Sequence, residues 1–516
     1  MSEIPQTLIL GAVDLIAEES QALAKDHKKN LTRDDRVHLF LEEVVDKLCR
    51  YFQCDFARLR PLITDFISCG PSVYTQTKYH DTMHKADSLG LTGAHCHVID
   101  QGGASITAAI MQAQACVQQN PHAVILVAGA DIPRAGFQGK ADYAFLNQGV
   151  MHPVHEEPYG GNLVAFYALL AKQQMRDEGI TAADFQAIVR YYRATVQANP
   201  RAHNFAKELS DKQLTKYFAE PYSVPMIAVA TDHAVATLIC GEAILAELQQ
   251  VLTLPGAPAY VGHGATAHHA AYFTLKGDLA SPASVTGPLV LERNGLGVDD
   301  VDYAWVYDCF VGMLIGQTSQ YFGVSQQQAA QDLASGGVRL PSGKFIPINQ
   351  GGGILNYQAA LMLSSGTGLL DVLSRFGLAA DPLYPAPPNE RPGVALLGGN
   401  GGLDTVNSLV PIASRPFAAP RSRTGSARAP LRFNNPAKSP GDLGRIRLTT
   451  TVHFNTGGAM KPPYVLALSE LSNGNFTLSN VYENGERLTS DAGLPLDTPV
   501  RFEEIDGVSQ AVPVAH

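Results

Sequence analysis

The stretch "HVIDQGGASITAAIMQAQACVQQNPHAVILVAGAD", residues 97–131, decides the fold. It reads as a short strand, a turn at Gly102-Gly103, a helix from about Ser105 to Val117, and an apolar strand with a glycine-bearing exit. The helix carries Ile106, Ala109, Ile110, Ala113 and Val117 on one face, while Ala108, Met111 and Ala115 keep much of the rest small and apolar. A helix apolar nearly all round is one that the fold buries. Two glycines at its origin leave backbone N–H groups open to an oxygen that gains negative charge. The alternative is a tight turn that lets helix and strand pack closely.

The pattern returns. "VIDQGGASITAAI" from residue 98 is answered by "PINQGGGILNYQAAL" from residue 347, so Ile99 to Gly103 corresponds to Ile348 to Gly352. Each copy is followed by a helix and then by a strand with a glycine-rich exit, "AVILVAGAD" and "GVALLGGNGG". The second helix is expected over about 358–370 and, like the first, in the interior. Two tandem α/β halves with a pair of central helices between sheets follow from this duplication.

The first half is placed at 1–255, including a cap over about 133–220 that is too long for a plain connection. The second half is placed at 256–410. Residues 411–444 are rich in Pro, Arg, Ser and Ala and read as a linker. From 445 to 516, period-two runs such as "RIRLTTTVHF" and "PYVLALSEL" predict a small β domain, OB-like or a sandwich.

With 516 residues, 45% of them hydrophobic, the chain can bury more than one core. A net charge of −10 argues against a nucleic-acid or membrane-surface binder. The start lacks a basic, then apolar leader, and no window holds ~18 uninterrupted apolar residues, so a cytoplasmic protein without a membrane span is expected. The seven cysteines include no CxxC pair and read as reduced thiols. His95 and His97 share one strand face, but the local sequence shows no acidic third ligand, so no metal site is expected.

Several segments, in order, resemble the thiolase superfamily and its sterol-carrier-protein-type branch, including the thiolase-like proteins with an added C-terminal β domain. "VATDHAVATLIC" resembles the Ser-Asp-Gly-Ala-Ala-Ala segment, with Asp232 and His233 where the family has Asp-Gly. "LERNGLGVDDVDYAWVYDCF" resembles the approach to the His-Asp-Cys-Phe motif, "NQGGG" the Asn-Pro-x-Gly-Gly segment, and "LLGGNGG" the last glycine-rich loop. Tyr159-Gly160 matches a Tyr-Gly pair of the cap. The resemblance implies a duplicated, five-layered αβαβα fold with an acyl-CoA site under the cap.

It also implies chemistry that these residues alter. The nucleophilic cysteine falls on Gly102 or Gly103, and the second cysteine on Leu396. Tyr307 replaces the first histidine while Asp308, Cys309 and Phe310 are kept; near the second histidine's place stand Asn356 and Tyr357. Covalent acyl transfer needs a thiolate, which glycine lacks. Cys96 and Cys309 are the candidates for a displaced nucleophile, and Ser105 reads as support for the helix start.

Overall similarity therefore implies an acyl-CoA-processing, acyltransferase-like protein, an acetyl-CoA acetyltransferase homologue acting at the C–C bond next to a CoA thioester. The alternatives are a cysteine-independent retro-aldolase, as in thiolase-like aldolases of steroid side-chain degradation that use tyrosines and a separate OB-containing partner, and a non-catalytic acyl-CoA-binding or scaffold protein. Tyr307, Asp308 and Tyr357 are the candidate catalytic residues; Gly102, Gly103, Asn349, Gly352, Asn400 and Tyr159 the candidate oxyanion and substrate contacts. A tyrosine base needs its pKa lowered from ~10. His152, His155, His268 and His269 are candidate channel residues. The CoA thioester enters as substrate, with no tightly bound cofactor expected and either a monomer or a homodimer.

Overall fold

The computed structural model describes residues 5–23, 31–70, 80–136, 149–277, 279–383, 391–418, 432, 434–454 and 460–514. In the first half, strands β1 (Thr7–Ile16), β2 (Asp65–Cys69), β3 (His95–Ile99), β4 (Val124–Asp131) and β5 (His233–Gly241) lie in the order β1-β5-β4-β2-β3. β5 runs antiparallel to β1 and β4, whereas β2 is parallel to β3 and β4. The second half supplies β6 (Ala259–Val261), β7 (Ala265–His268), β8 (Tyr303–Trp305), β9 (Val394–Asn400) and β10 (Val406–Ala413), with β9 between β8 and β10. β6 pairs with both β1 and β10 and joins the halves into one ten-stranded sheet system.

Helix α1 (Arg33–Tyr51) starts at a capping box between Thr32 and Asp35 and covers the outer face of β1, β4 and β5. Helix α2 (Ser105–Gln119) touches β2 and β4 on one side and β9 and β10 on the other. Two cap helices follow, α3 (Leu163–Glu178) and α4 (Ala182–Thr195), with Gly179 left-handed at the end of α3 and a Thr181–Asp184 capping box opening α4. Helices α5 (Ala283–Asn294) and α6 (Val311–Phe322) pack on each other, and α5 covers β7 and β10. Helix α7 (Ser364–Arg375) lies against α2, β1, β8 and β9. The layers are thus α1, a sheet, α2 with α7, a sheet, and α5 with α6, the five-layered arrangement expected.

The second central helix begins at Ser364, not near residue 358. Gly353–Asn356 forms one short helical turn, the chain breaks at Tyr357 (φ −90°, ψ −95°), and Leu361 takes a positive φ of 33° before α7 starts. The repeated turn is therefore followed by a helix after one residue in the first half and after a detour in the second. That detour carries two of the candidate residues.

Beyond the halves, β11 (Leu443–Val452), β12 (Tyr464–Leu471), β13 (Phe476–Asn480), β14 (Pro499–Ile505) and β15 (Val508–Pro513) form an antiparallel sheet in the order β13-β12-β11-β14-β15. A bridge between Val481 and Ala511 brings its two ends together. Val465 and Ala467 face a small core with Ile446, Val500 and Phe502, while Leu466 and Leu468 alternate into the cluster shared with the cap. The chain stays in the main sheet to Ala413, and Asn434 is already fixed by hydrogen bonds to Thr274 and Phe476, so the anchored residues reach into both ends of the segment read as a linker; 419–431 lie outside the described residues. No helix among the described residues is long and apolar enough to cross a membrane.

Candidate functional site

The first turn is held by its own serine. Ser105 Oγ accepts from the Gln101 N–H at 3.0 Å and donates to the Gly102 carbonyl at 2.7 Å. The N–H groups of Ala104 and Ser105 donate to the carbonyls of Gln101 and Gly102. Gly102 has φ +57°, the left-handed region that favours glycine. Gly103 is glycine for a different reason: a Cβ there would lie 1.8 Å from the Tyr307 hydroxyl, 2.5 Å from Tyr307 Cζ and 2.7 Å from the Asn400 carbonyl oxygen. The phenol of the second half fills the volume into which any side chain at residue 103 would project.

Tyr307 is set by its neighbours. Past the end of β8 the chain has no strand partner, and the Asn349 amide supplies one, accepting from the Val306 N–H at 2.8 Å and donating to the Val306 carbonyl at 2.7 Å. Asn349 adopts φ 49° to do so, a conformation asparagine tolerates. The Tyr307 ring meets the edge of Trp305 at 5.9 Å and 90°, and the Ser364 side chain at the start of α7 lies near its hydroxyl. Burial raises its pKa above the ordinary phenol value, only partly offset by Ser364.

The next residue points into the second turn. The fully buried Asp308 carboxylate accepts from the N–H groups of Ile354 (2.9 Å) and Leu355 (3.4 Å), and a Cβ on Gly353 (φ +62°) would stand 1.8 Å from its Oδ2. Burial pushes the Asp308 pKa up to about 7, against the pull of those amides. Gly352 makes room for Val196 of the cap, whose Cγ1 would be 2.0 Å from a Cβ.

Tyr357 faces elsewhere, into a buried charge cluster. Its hydroxyl donates to Asp14 Oδ2 at 2.7 Å and accepts from Arg201 Nη1 at 2.9 Å; His233 Nε2 lies 2.9 Å from the same Asp14 oxygen. Burial would raise the Asp14 pKa, but the Arg201 charge and hydrogen bonds from His233 and Tyr357 hold it well below the carboxylate range. The Tyr357 phenol is pushed well above its ordinary value by burial and the Asp14 charge. The lowered tyrosine pKa that a resting base requires is thus absent from both phenols, because each is buried and Tyr357 also faces a carboxylate.

The remaining candidates disperse. Asn400 stands beside Gly103, its Nδ2 on the Gly401 carbonyl and its buried Oδ1 without a partner among the described residues. Asn356 accepts from Arg193 of α4 and from Asn204. Cys309 adjoins Tyr167, and burial raises its thiol pKa. Cys96 is exposed on β3 with its thiol also shifted up by burial. Tyr159 packs at the junction of cap and C-terminal sheet, under Lys438 Nζ at 3.9 Å, and its carbonyl accepts from Asn480. Asp232 binds the N–H groups of Arg134 and Ala135. The His152 and His155 rings lie 4.5 Å apart at a tilt of 43°, His268 is exposed and His269 buried. Leu396 lies in the core.

Sequence reading missed Ser364, Asp14 and Arg201. Asp14 had a signal, a lone carboxylate inside the otherwise apolar strand "TLILGAVDLI"; the other two had none.

No family model matches the chain. Over 98% of this chain and 99% of the other, it superposes with a TM-score of 0.67 and 14% identity on a monomeric SCP2-thiolase-like protein type 1 from Mycobacterium smegmatis. The chain has the thiolase fold. Within it, the Ltp2-ChsH2(DUF35) aldolase matches with a TM-score of 0.59 and 18% identity over 80% of this chain and 99% of that one. In sequence, a 17-hydroxy-3-oxo-4-pregnene-20-carboxyl-CoA lyase of Mycobacterium tuberculosis is 26% identical over 36% of this chain and 49% of its own. A steroid side-chain-cleaving aldolase of Thermomonospora curvata is 22% identical over 51% of this chain and 66% of its own. The chain thus spans 49% and 66% of the length of these two curated relatives.

Proposed function

We propose that this thiolase-fold chain cleaves the C–C bond next to a CoA thioester by a cysteine-independent retro-aldol route. The carrying observation is the Tyr307 hydroxyl standing where a side chain at residue 103 would project. A thiol at that position and this phenol exclude each other, so an acyl-enzyme at residue 103 has no place to form. The relatives that share sequence, a carboxyl-CoA lyase and a side-chain-cleaving aldolase, support the same class.

In this reading the substrate is a β-hydroxyacyl-CoA. Loss of the hydroxyl proton turns Cβ into a carbonyl, the Cα–Cβ pair moves onto the thioester as an enolate, and protonation at Cα releases the shortened acyl-CoA. Tyr307, protonated because it is buried, donates to the thioester oxygen as negative charge develops and supplies the Cα proton. The hydroxyl proton passes to water, and water returns a proton to Tyr307 once it has protonated Cα; Tyr357, held between Asp14 and Arg201, stays in the buried charge cluster. The C-terminal sheet, tied to the cap by Tyr464 to Gly160 (2.5 Å) and Asn480 to Tyr159, closes the site in the place of a separate partner chain.

The test is mass spectrometry of products from a panel of β-hydroxyacyl-CoA esters, aliphatic and polycyclic. A shortened acyl-CoA plus a matched ketone or aldehyde, lost in Tyr307→Phe, is expected. Unchanged turnover in that variant, or an acyl adduct on Cys96 or Cys309, overturns the proposal.

A further inference from the structure

At the edge of the first-half sheet, three residues of different elements converge. Asp65 opens β2, His97 sits in the middle of the neighbouring parallel strand β3, and Cys116 belongs to the last turn of α2. Asp65 Oδ1 is 2.9 Å from His97 Nε2, Cys116 Sγ is 3.8 Å from the same nitrogen, and all three donor atoms lie within 4.8 Å of one another. The carboxylate that the sequence around "HCH" does not show comes from the next strand.

Two chemistries use a thiol, an imidazole and a carboxylate, and the geometry separates them. A nucleophilic triad puts thiol and carboxylate on opposite ring nitrogens, so that one orients the base for the other. Here both address Nε2, leaving no nitrogen for the relay. A metal ion needs the opposite, three donor atoms facing one point. Bonds of about 2.0–2.1 Å to oxygen and nitrogen and about 2.3 Å to sulfur place tetrahedral donors roughly 3.2–3.8 Å apart. The two separations to His97 Nε2 need shifts of only a few tenths of an ångström to match, and the oxygen and sulfur lie within 4.8 Å of each other.

We infer that Asp65, His97 and Cys116 form a binding site for a divalent transition-metal ion, of which Zn2+ best suits the mixed oxygen, nitrogen and sulfur set. The second Asp65 oxygen accepts the Thr64 hydroxyl at 2.7 Å, which fixes the carboxylate's direction as outer partners of metal ligands do. The His97 side chain is 27% exposed, giving the ion a path in and leaving the fourth position to water. On binding, the Cys116 proton leaves to solvent and the imidazole keeps its proton on Nδ1. The ion ties the two edge strands to α2, about 16 Å along that helix from Ser105 at 1.5 Å per residue, so it is a structural clamp apart from the candidate active site.

The test uses the full-length, chelator-treated protein titrated with Co2+. One equivalent is expected to give a thiolate-to-cobalt charge-transfer band and the intense visible bands of a four-coordinate ion, both displaced by Zn2+. Cys116→Ser removes the charge-transfer band, His97→Gln weakens Co2+ binding about 100-fold, and the neighbouring Cys96→Ser changes neither. Zn2+ raises the thermal midpoint of the wild-type chain and not of His97→Gln. Absence of the band in the wild-type protein overturns the inference, as does its loss in Cys96→Ser; if Cys116→Ser does not fold, the wild-type spectrum and the His97→Gln titration decide.

Discussion

The two halves of the chain carry the same glycine turn and fill it with different groups. At Gly103 the missing side chain is replaced by the Tyr307 hydroxyl; at its counterpart Gly352 the space is taken by Val196 of the cap, and at the next residue, Gly353, by the Asp308 carboxylate, with Tyr307 and Asp308 each 1.8 Å from where a Cβ would be. Two consecutive residues of one loop thus reach one turn each. The difference is in the backbone and the filler. Gly353 is left-handed and its filler is locked by two amides of the following turn, whereas Gly103 lacks a positive φ and its filler is a phenol with a serine near its hydroxyl. One turn is closed by a carboxyl locked onto its own amides, and the other by a buried phenol that no backbone amide holds.

The largest effect expected is at the turn closed by the carboxyl. Gly353→Ala combines overpacking against Asp308 with a left-handed backbone and should cost about 4 kcal/mol, read as a drop in the denaturation midpoint. A near-neutral result would mean that Asp308 can withdraw, and the contrast between the turns would fail. Next, Tyr307→Phe keeps the fold and should lower turnover about 100- to 1000-fold, measured on the ester that the product screen identifies.

A smaller effect sharpens the contrast at Gly103. Gly103→Ala should cost about 2 kcal/mol in the native chain and much less in a Tyr307→Ala background, giving a coupling of at least about 1 kcal/mol in a double-mutant cycle. Additivity would show that the phenol does not occupy that volume. The smallest signal is in pH. Asp308 titrates near 3.8 when unfolded and at about 7 when folded, so the native state binds the extra proton between these values. Its contribution to stability is therefore full below about pH 4 and is lost as pH rises through 7. Asp14, held low, has the opposite sign: its contribution is present above its unfolded value and falls away in acid. Asp308→Asn should flatten the decline of the thermal midpoint from pH 4 to 7 and leave the acid limb in place.

Much of the frame was legible because it is written in local periodicity. The buried helix after Gly103, the strand after it, and the alternating runs past residue 445 each show which faces must leave water. The second central helix starts six residues later than its pattern suggests. Its start depends on Asp308, 46 residues upstream, capturing the Ile354 N–H, and nothing within "GGGILNYQAAL" reports that partner.

By itself, then, the sequence determined the duplicated α/β body, the added β domain and the absence of a thiol at the turn, since these depend on residue type and spacing along one chain. Only the tertiary structure decided what stands in the thiol's place, which charges surround Tyr357, and that Asp65 and Cys116 meet His97. Those contacts join residues from 19 to 343 positions apart. Such pairs are chosen by how strands and helices dock, and docking is set by the shape and burial of whole faces, which no short window contains.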